Sequence, residues 1–435
     1  MRRIIKNISR MFIVLVVSAV VLVALMTLVY KLPVDSMARH VAESEWTLRA
    51  QNDEATLQNT GYYDFYDTGT NIIILHEIIY PNSNSPLNDA MLNPTADYYK
   101  GTLNEWIDNL ISHASDREYT DADNKIYPRY WHGYLVVLKP LFMLFNLKQI
   151  YIINAVILAL INVMILIMLY KRLGNYAMAY LLFGLVMNPL HIVFSFQLSA
   201  VFYVLSISML LLLAWDKSGD YESWGIRKDQ SIYYVFLIDG MLLSAIDFLT
   251  YPLVAYAIVL LTYILLSHDK SVGHEFSECI KTGMSFGLGY GGFWALKWIA
   301  ATLFTKENVI ADGLANVMHR VGAKEMSEDI LYNATPSMSL KVNFDIFFNI
   351  KTGAVCLVLI VFTLVLVVIK KNRLKINRGL LFITALVALS PIAWLILVYN
   401  HCAIHPFLEW RELGILFYAL AVFLISLTEE GESGK

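Results

Sequence analysis

Several apolar runs in this 435-residue chain reach about eighteen residues or more. That length is the strongest constraint on what the chain can fold into. A helix satisfies its backbone N–H and C=O groups from within, so only a run of this length crosses hydrocarbon without stranding polar groups. Composition agrees. Hydrophobic residues make up 57% of the chain and charged residues 16%, and the mean hydropathy is +0.54. Soluble domains rarely exceed about half apolar residues. The fold class is therefore all-α, a polytopic transmembrane helical bundle whose first partner is the lipid bilayer. The net charge of −3, with no basic stripe, gives no nucleic-acid surface.

About ten spans are read, at Met11–Tyr30, Gln149–Tyr170, Tyr176–Met187, Ser195–Trp215, Ser231–Ile246, Tyr251–Leu266, Met284–Phe304, Ala354–Ile369, Gly379–Tyr399 and Leu413–Leu427. The first follows Arg2, Arg3, Lys6 and Arg10. It is longer than the apolar region of a cleaved signal, so it is read as a retained helix, with Ser36-Met37-Ala38 only a weak cleavage site. Tyr134–Leu147 is apolar but short and broken by Lys139-Pro140, the pattern of an interfacial segment. The chain thus divides into 1–30, a basic segment and first helix; 31–148, a large first loop; 149–304, a central bundle; 305–353, a second loop; and 354–435, the last helices and a short tail.

Orientation follows from Lys and Arg in short loops. With the N-terminus cytoplasmic, the inner side holds Lys171-Arg172, Lys217, Arg227, Lys228, Lys270, Lys281 and the run Lys370–Lys375. Both long loops then face outward, in a multi-pass protein of the cell membrane with its active face extracytoplasmic. The first loop carries the apolar segments Ile72–Ile79, Leu103–Ser115 and Tyr134–Leu147, expected as helices lying on the outer face. It holds too few core residues for a typical independent domain. Cys279, Cys356 and Cys402 are expected in an inner loop, a span and an outer loop, which implies no disulfide framework.

The polar residues that could carry chemistry collect on the outer side. Asn400-His401-Cys402-Ala403-Ile404-His405 leads to Trp410-Arg411 between the last two spans. His401 and His405 at i, i+4 share a helical face, a spacing suited to a metal or a phosphate, and Arg411 could clamp a phosphate with two N–H groups. Interfacial anchoring accounts for the same residues. Asp247 falls in the short break before Tyr251-Pro252, where a carboxylate near hydrocarbon is a functional candidate and a helix cap is the plain alternative. Lys297, between Trp294 and Trp298, either snorkels outward or meets a lipid phosphate. Asp35, Glu43 and Glu45 just after the first helix, and Asp64 and Asp67 further on, are the candidate acids of the first loop. Asp67 is the best placed as a general base, and it or Thr70 is otherwise an N-cap. Tyr127-Pro128-Arg129-Tyr130-Trp131-His132-Gly133-Tyr134 could stack on sugars and grip phosphate, or form an aromatic belt. The glycines at 287, 289, 291 and 292 point to close helix packing. No phosphate loop, GxGxxG, HExxH or GxSxG motif is present, and no span carries a chain of acids.

This layout resembles the GT-C class of integral-membrane glycosyltransferases: a first helix, a large outer loop with acids, and many later spans. The aromatic segment Tyr127–Tyr134 and the His…His…Arg island are similar to bacterial envelope-polysaccharide proteins. The resemblance implies transfer of a sugar from a polyprenyl-phosphate carrier to a glycan or lipid acceptor. Asp67 or Asp35 would act as base and Asp247 would orient the acceptor or hold a divalent cation. Arg129, His132, Lys297, His401, His405 and Arg411 would bind substrate. An acidic pair soon after the first helix, frequent in that class, is missing, since Asp53-Glu54 lies further on. The base therefore stays open between Asp35, Asp67 and Glu43. A polysaccharide polymerase or ligase shares this chemistry. A transporter, or a non-enzymatic assembly protein, is the rival of another kind.

The loop charges predict topology directly. A periplasmic-type reporter fused after Asn82 is expected to be active and one fused after Arg172 inactive, and the reverse pattern would refute the orientation.

Overall fold

A computed structural model describes residues 2–57, 66–96, 101–119, 125–217, 228–267, 271–323, 334–349 and 377–429, with isolated positions between 353 and 365. Asp64, Arg227, Lys270, Cys356, the run Lys370–Lys375, the tail after Glu429 and most of the expected span Ala354–Ile369 lie outside the described residues.

The described chain is helical almost throughout, as expected. A long first helix, α1 (Arg2–Val29), leads into a layer built from α2 (Asp35–Ala42), α3 (Glu45–Leu57), α4 (Thr68–Ile79), α5 (Pro86–Leu92), α6 (Leu103–Asp116) and α7 (Leu135–Phe142). Two short antiparallel strands, β1 (Pro94–Thr95) and β2 (Lys125–Ile126), pin this layer. The bundle follows as α8 (Leu147–Leu173), α9 (Tyr176–Val186), α10 (Pro189–Val193), α11 (Phe196–Lys217), α12 (Lys228–Ile246), α13 (Pro252–Ser267) and α14 (Val272–Phe304). Next come α15 (Val309–Arg320), α16 (Pro336–Phe347), α17 (Arg378–Leu397), the short α18 (Tyr399–Ile404) and α19 (Pro406–Glu409), a 3₁₀ turn over Trp410–Leu413, and α20 (Gly414–Glu429).

Among the described residues, five segments are long and apolar enough to cross a membrane: Asn7–Val29, Leu147–Leu173, Phe196–Trp215, Arg378–Leu397 and Pro406–Leu427. Tyr176–Val186, Gln230–Ile246 and Pro252–Ser267 are shorter apolar helices. Lipid suits the exposed face of α1, where Phe12, Ile13, Val17, Val20 and Leu28 are all more than half exposed.

Local signals set the boundaries. Asn146 caps α8 in a reciprocal box with Gln149, and the helix closes on Lys171-Arg172 before Gly174. Thr102 and Glu105 do the same for α6. Cys279 sits within α14 rather than in a loop, half-buried, and Cys402 is buried in α18; neither forms a disulfide.

The first loop departs from its expectation. The segment 31–148 is not short of core: Ile72, Ile74, Leu75, Ile78 and Ile79 of α4 are fully buried. α4 is enclosed by α2, α6 and α7 instead of lying on a surface. The count of apolar residues within the loop misleads because the core is shared. Met26, Val29 and Tyr30 from α1 and Leu147, Ile150 and Tyr151 from α8 complete it.

Of the glycine cluster in α14, one member makes a close crossing. A Cβ on Gly289 would run into the Leu237 carbonyl, and one on Gly240 of α12 into the Phe286 carbonyl. Gly287 and Gly291 face open space. Gly240→Val is therefore expected to lower stability by about 3 kcal/mol or more. Gly287→Ala should be neutral or raise stability by up to about 1 kcal/mol through helix propensity. Thermal unfolding of the two variants in detergent separates a packing role from a merely flexible one.

Candidate functional site

The chain between α12 and α13 has only Asp247–Tyr251 in which to turn, in an apolar setting where stray amides are costly. Asp247 solves this locally. Its carboxylate accepts from Leu249 N at 2.9 Å, from Thr250 N at 3.1 Å and from the Thr250 hydroxyl. Phe248 N donates to Gln197 Oε1 at 2.9 Å. The turn leaves Leu249 at φ 69°, a left-handed conformation that costs a non-glycine residue on the order of 1–3 kcal/mol. Burial pushes the Asp247 carboxyl up to about 6, against the hydrogen bonds from Thr250 and Leu249, with the Glu409 charge adding to the rise.

The strained residue points its carbonyl at His401. Nε2 of His401 donates to Leu249 O at 2.8 Å, and Glu409 Oε1 lies 3.2 Å from the same nitrogen. A carbonyl can only accept, so the proton sits on Nε2 and the neutral ring keeps its lone pair on Nδ1. His405 lies beside it, ring centroids 4.8 Å apart. Both rings are held neutral, their pKa values pulled down by burial first. For His401, down to about 3, the Arg320 charge is next; His405 also feels His401 and Arg320. Glu409 is fully buried and accepts from Trp394 Nε1 at 3.0 Å and from the Cys402 thiol at 3.5 Å.

Arg320, at the end of α15, completes this group. Its guanidinium lies over the Tyr130 ring at 5.5 Å and the Trp294 ring at 5.9 Å, and it hydrogen-bonds the Tyr130 hydroxyl. A crevice of about 10 Å³, the space of about one water, lies beside it, lined by Arg129, Tyr130, Trp294, Trp298, Asn316 and Arg320. Arg129 is half-buried there, paired with Asp312 at 3.2 Å and with Asn316 at 2.9 Å.

A second polar nest lies deeper. Glu77 and His132 are fully buried and 2.9 Å apart, and the Tyr134 hydroxyl donates to Glu77 at 2.6 Å. His132 Nε2 meets the Tyr127 carbonyl at 2.8 Å. Lys297 gives its protons to Ala90 O, Met91 O and Asn93 Oδ1 within 3.0 Å, closing the carbonyl end of α5. The ammonium thus neither snorkels nor reaches a surface, since Lys297 is fully buried.

The remaining expected residues divide. Asp67 is the N-cap of α4, accepting from Thr70 N at 3.2 Å, and burial raises its pKa. Arg411 is also fully buried. It donates to Phe407 O at 2.7 Å, lies over the Trp410 ring at 4.6 Å, and its charge reaches Asp67. Asp35 stands apart, in a shallow hollow with Arg39 and Arg117 on the first-loop layer. So Asp247, His401, His405 and Arg129 meet around the Tyr130–Arg320 pair. Asp67 and Arg411 lie behind them, and His132 and Lys297 serve the adjoining nest.

Glu409, Glu412, Arg320 and Glu77 were not singled out from the sequence. Glu409 and Glu412 had a signal, two acids flanking Arg411 at the start of an apolar helix. Arg320 and Glu77 had none, because their helices show only ordinary patterning. Among the described residues no three His, Cys, Asp or Glu side chains cluster as metal ligands would. Compared with family models, characterised proteins and solved structures, the chain has no match.

Asp247 gives the site a pH signature. Its carboxyl holds a proton up to about 6 in the folded chain, against 3.8 ordinarily, so the folded form binds more protons between these values. The stability it contributes is present below about pH 4 and is lost as pH rises to about 6, by on the order of 1.4 kcal/mol per unit. Asp247→Asn is expected to flatten that stretch of the profile of thermal midpoint against pH. A profile as steep as the wild type's would assign the slope elsewhere.

Proposed function

We propose that the chain is a membrane glycosyltransferase that moves a sugar from a polyprenyl-phosphate carrier to a glycan or lipid acceptor at the extracytoplasmic face. The observation that carries the reading is the meeting of His401, Glu409 and Arg320 beside the aromatic wall of Tyr130 and Trp294. This combines a base oriented by a carboxylate, a cation for a phosphate leaving group, and rings on which a sugar stacks. The general GT-C-like architecture, with about ten spans in all, belongs to the same proposal.

The chemistry divides among the residues as follows. The acceptor hydroxyl gives its proton to Nδ1 of His401 as its oxygen bonds the anomeric carbon. The bond from that carbon to the phosphate oxygen breaks, and polyprenyl phosphate departs with its charge facing Arg320, aided by Arg129. Leu249 O fixes the His401 tautomer, and Asp247 holds Leu249 in place. Burial and the Arg320 charge oppose the imidazolium that forms, and Glu409, 3.2 Å from Nε2, steadies it by ionising as the ring takes the proton. Asp67 and Arg411, first candidates for base and phosphate clamp, act here as supports for α4 and the last helix. Lys297 and His132 hold the wall from behind, and Asp35 takes no part.

Purified chain in vesicles, supplied with hexosyl polyprenyl phosphates and envelope extracts, is expected to release polyprenyl phosphate, read by mass spectrometry. His401→Ala and Glu409→Gln should each lower the rate about 10²-fold or more, and Asp35→Ala should leave it unchanged. No release from any such donor, with the protein folded, would sink the proposal.

A further inference from the structure

The helix that supplies Arg320 has a second, apolar face that the described chain covers only in part. In α15 and its cap, Ile310, Leu314, Met318 and Val321 follow a spacing of four, four and three, one apolar stripe along a helix. They are between 36% and 54% exposed. The opposite side is fixed to the protein. Val309, Gly313 and Asn316 are buried, and Gly313 lies so close to the Trp298 ring that a Cβ would collide with it. Asp312 and Asn316 hold Arg129, and Arg320 holds Tyr130. The helix therefore cannot turn its stripe inward without breaking these contacts.

The height of α15 identifies what meets the stripe. α14 runs alongside α1 in the same direction: Gly292 faces Leu15, while Ala301 and Val309 share a core with Met26, Val29 and Tyr30. Leu15 to Val29 rises about 21 Å and Gly292 to Phe304 about 18 Å, at about 1.5 Å per residue. α14 thus ends level with Val29, where the α1 span ends. α15 starts at that level and folds back along α14: Ile310 N donates to Thr302, Gly313 meets the Trp298 ring and Arg320 reaches Trp294, so its stripe lies at the depth of the exposed Ile299, Leu303 and Phe304. The stripe carries no charge, and the polar groups of the helix are on its protein side.

We infer that α15 is a re-entrant helix folded back on α14, whose stripe Ile310–Leu314–Met318–Val321 faces the acyl chains of the leaflet at which α1 ends. The occupant of this face is lipid, so the helix that carries Arg320 is held between membrane and protein. The inference is independent of the reaction proposed above.

The test uses the full chain in phosphatidylcholine vesicles containing a phosphatidylcholine with a diazirine on its acyl chain. After irradiation, adducts are mapped by mass spectrometry, with Phe12, Val17 and Val20 of α1 as the internal standard. Ile310, Leu314 and Met318 are expected to carry adducts within a few-fold of that standard, and Asp312 and Asn316 none. In Leu314→Glu/Met318→Glu the α15 adducts should fall about tenfold with α1 unchanged. Labelled α1 beside an unlabelled 310–321 in the wild-type chain overturns the inference, since water or a protein partner would then cover the stripe. Undiminished labelling in the double variant overturns it as well.

Discussion

The structure depends on how the break between α12 and α13 satisfies its own backbone. Five residues must turn where water is scarce; Asp247 takes the Leu249 and Thr250 amides, and distant parts of the chain partner several of the other groups. Gln197 takes the Phe248 amide, Tyr130 donates to the Phe248 carbonyl, His401 to that of Leu249, and Gly133 to that of Ala245. Glu412 receives the Leu253 amide at 2.9 Å at the start of α13. One short turn thereby joins the first-loop layer, the central bundle and the last helices. The groups that meet around it do so because the turn required them, and the geometry of His401 follows from the strain at Leu249.

Much of this was legible in the sequence where period and length carry the signal. Long apolar runs place α1, α8, α11, α17 and α20 to within a few residues, because a helix in lipid has no other way to pair its backbone. Asp247 and the His401–His405 pair stood out because polar residues are costly in such surroundings. What could not be read was which acids serve the fold and which remain over. Asp67 and Lys297 look like chemistry in one dimension, yet each closes a helix end in three. The first-loop core was equally hidden, since Tyr30, Ile79 and Tyr151 lie far apart in sequence and meet only when α1 and α8 close around α4.

Cations show the same division. Lys297, Lys139 and Arg411 are all fully buried and all donate to main-chain carbonyls, at Ala90 and Met91, at Ile78 and at Phe407. Each of those carbonyls lies in or beside a short helix, where intrahelical partners run out. A long cationic side chain reaching across the layer is an economical donor for such an end. Arg320 and Arg129 differ in lining a crevice and in pairing with side chains, Tyr130 for the one and Asp312 and Asn316 for the other. Neither closes a helix end.

Among the acids beside the turn, the same reasoning singles out Glu409. Burying a carboxylate rarely adds stability, since the desolvation it suffers can exceed what its partners return. A buried acid therefore needs a reason, and helix ends supply one for Asp247, Asp67 and Glu412, whereas Glu77 in the adjoining nest pairs with His132 and Tyr134. Asp247 holds the amides of Leu249 and Thr250, Asp67 that of Thr70, and Glu412 that of Leu253. Glu409 holds no backbone amide. Its partners are the indole of Trp394, the thiol of Cys402 and the ring of His401, side chains that an apolar residue of similar size could have packed against instead. Removing the pair in favour of such a residue would cost the fold little. That the chain keeps an acid facing a histidine whose tautomer is already fixed by Leu249 is what stability leaves unexplained, and the proposed reaction is the one that would use an oriented base at that point.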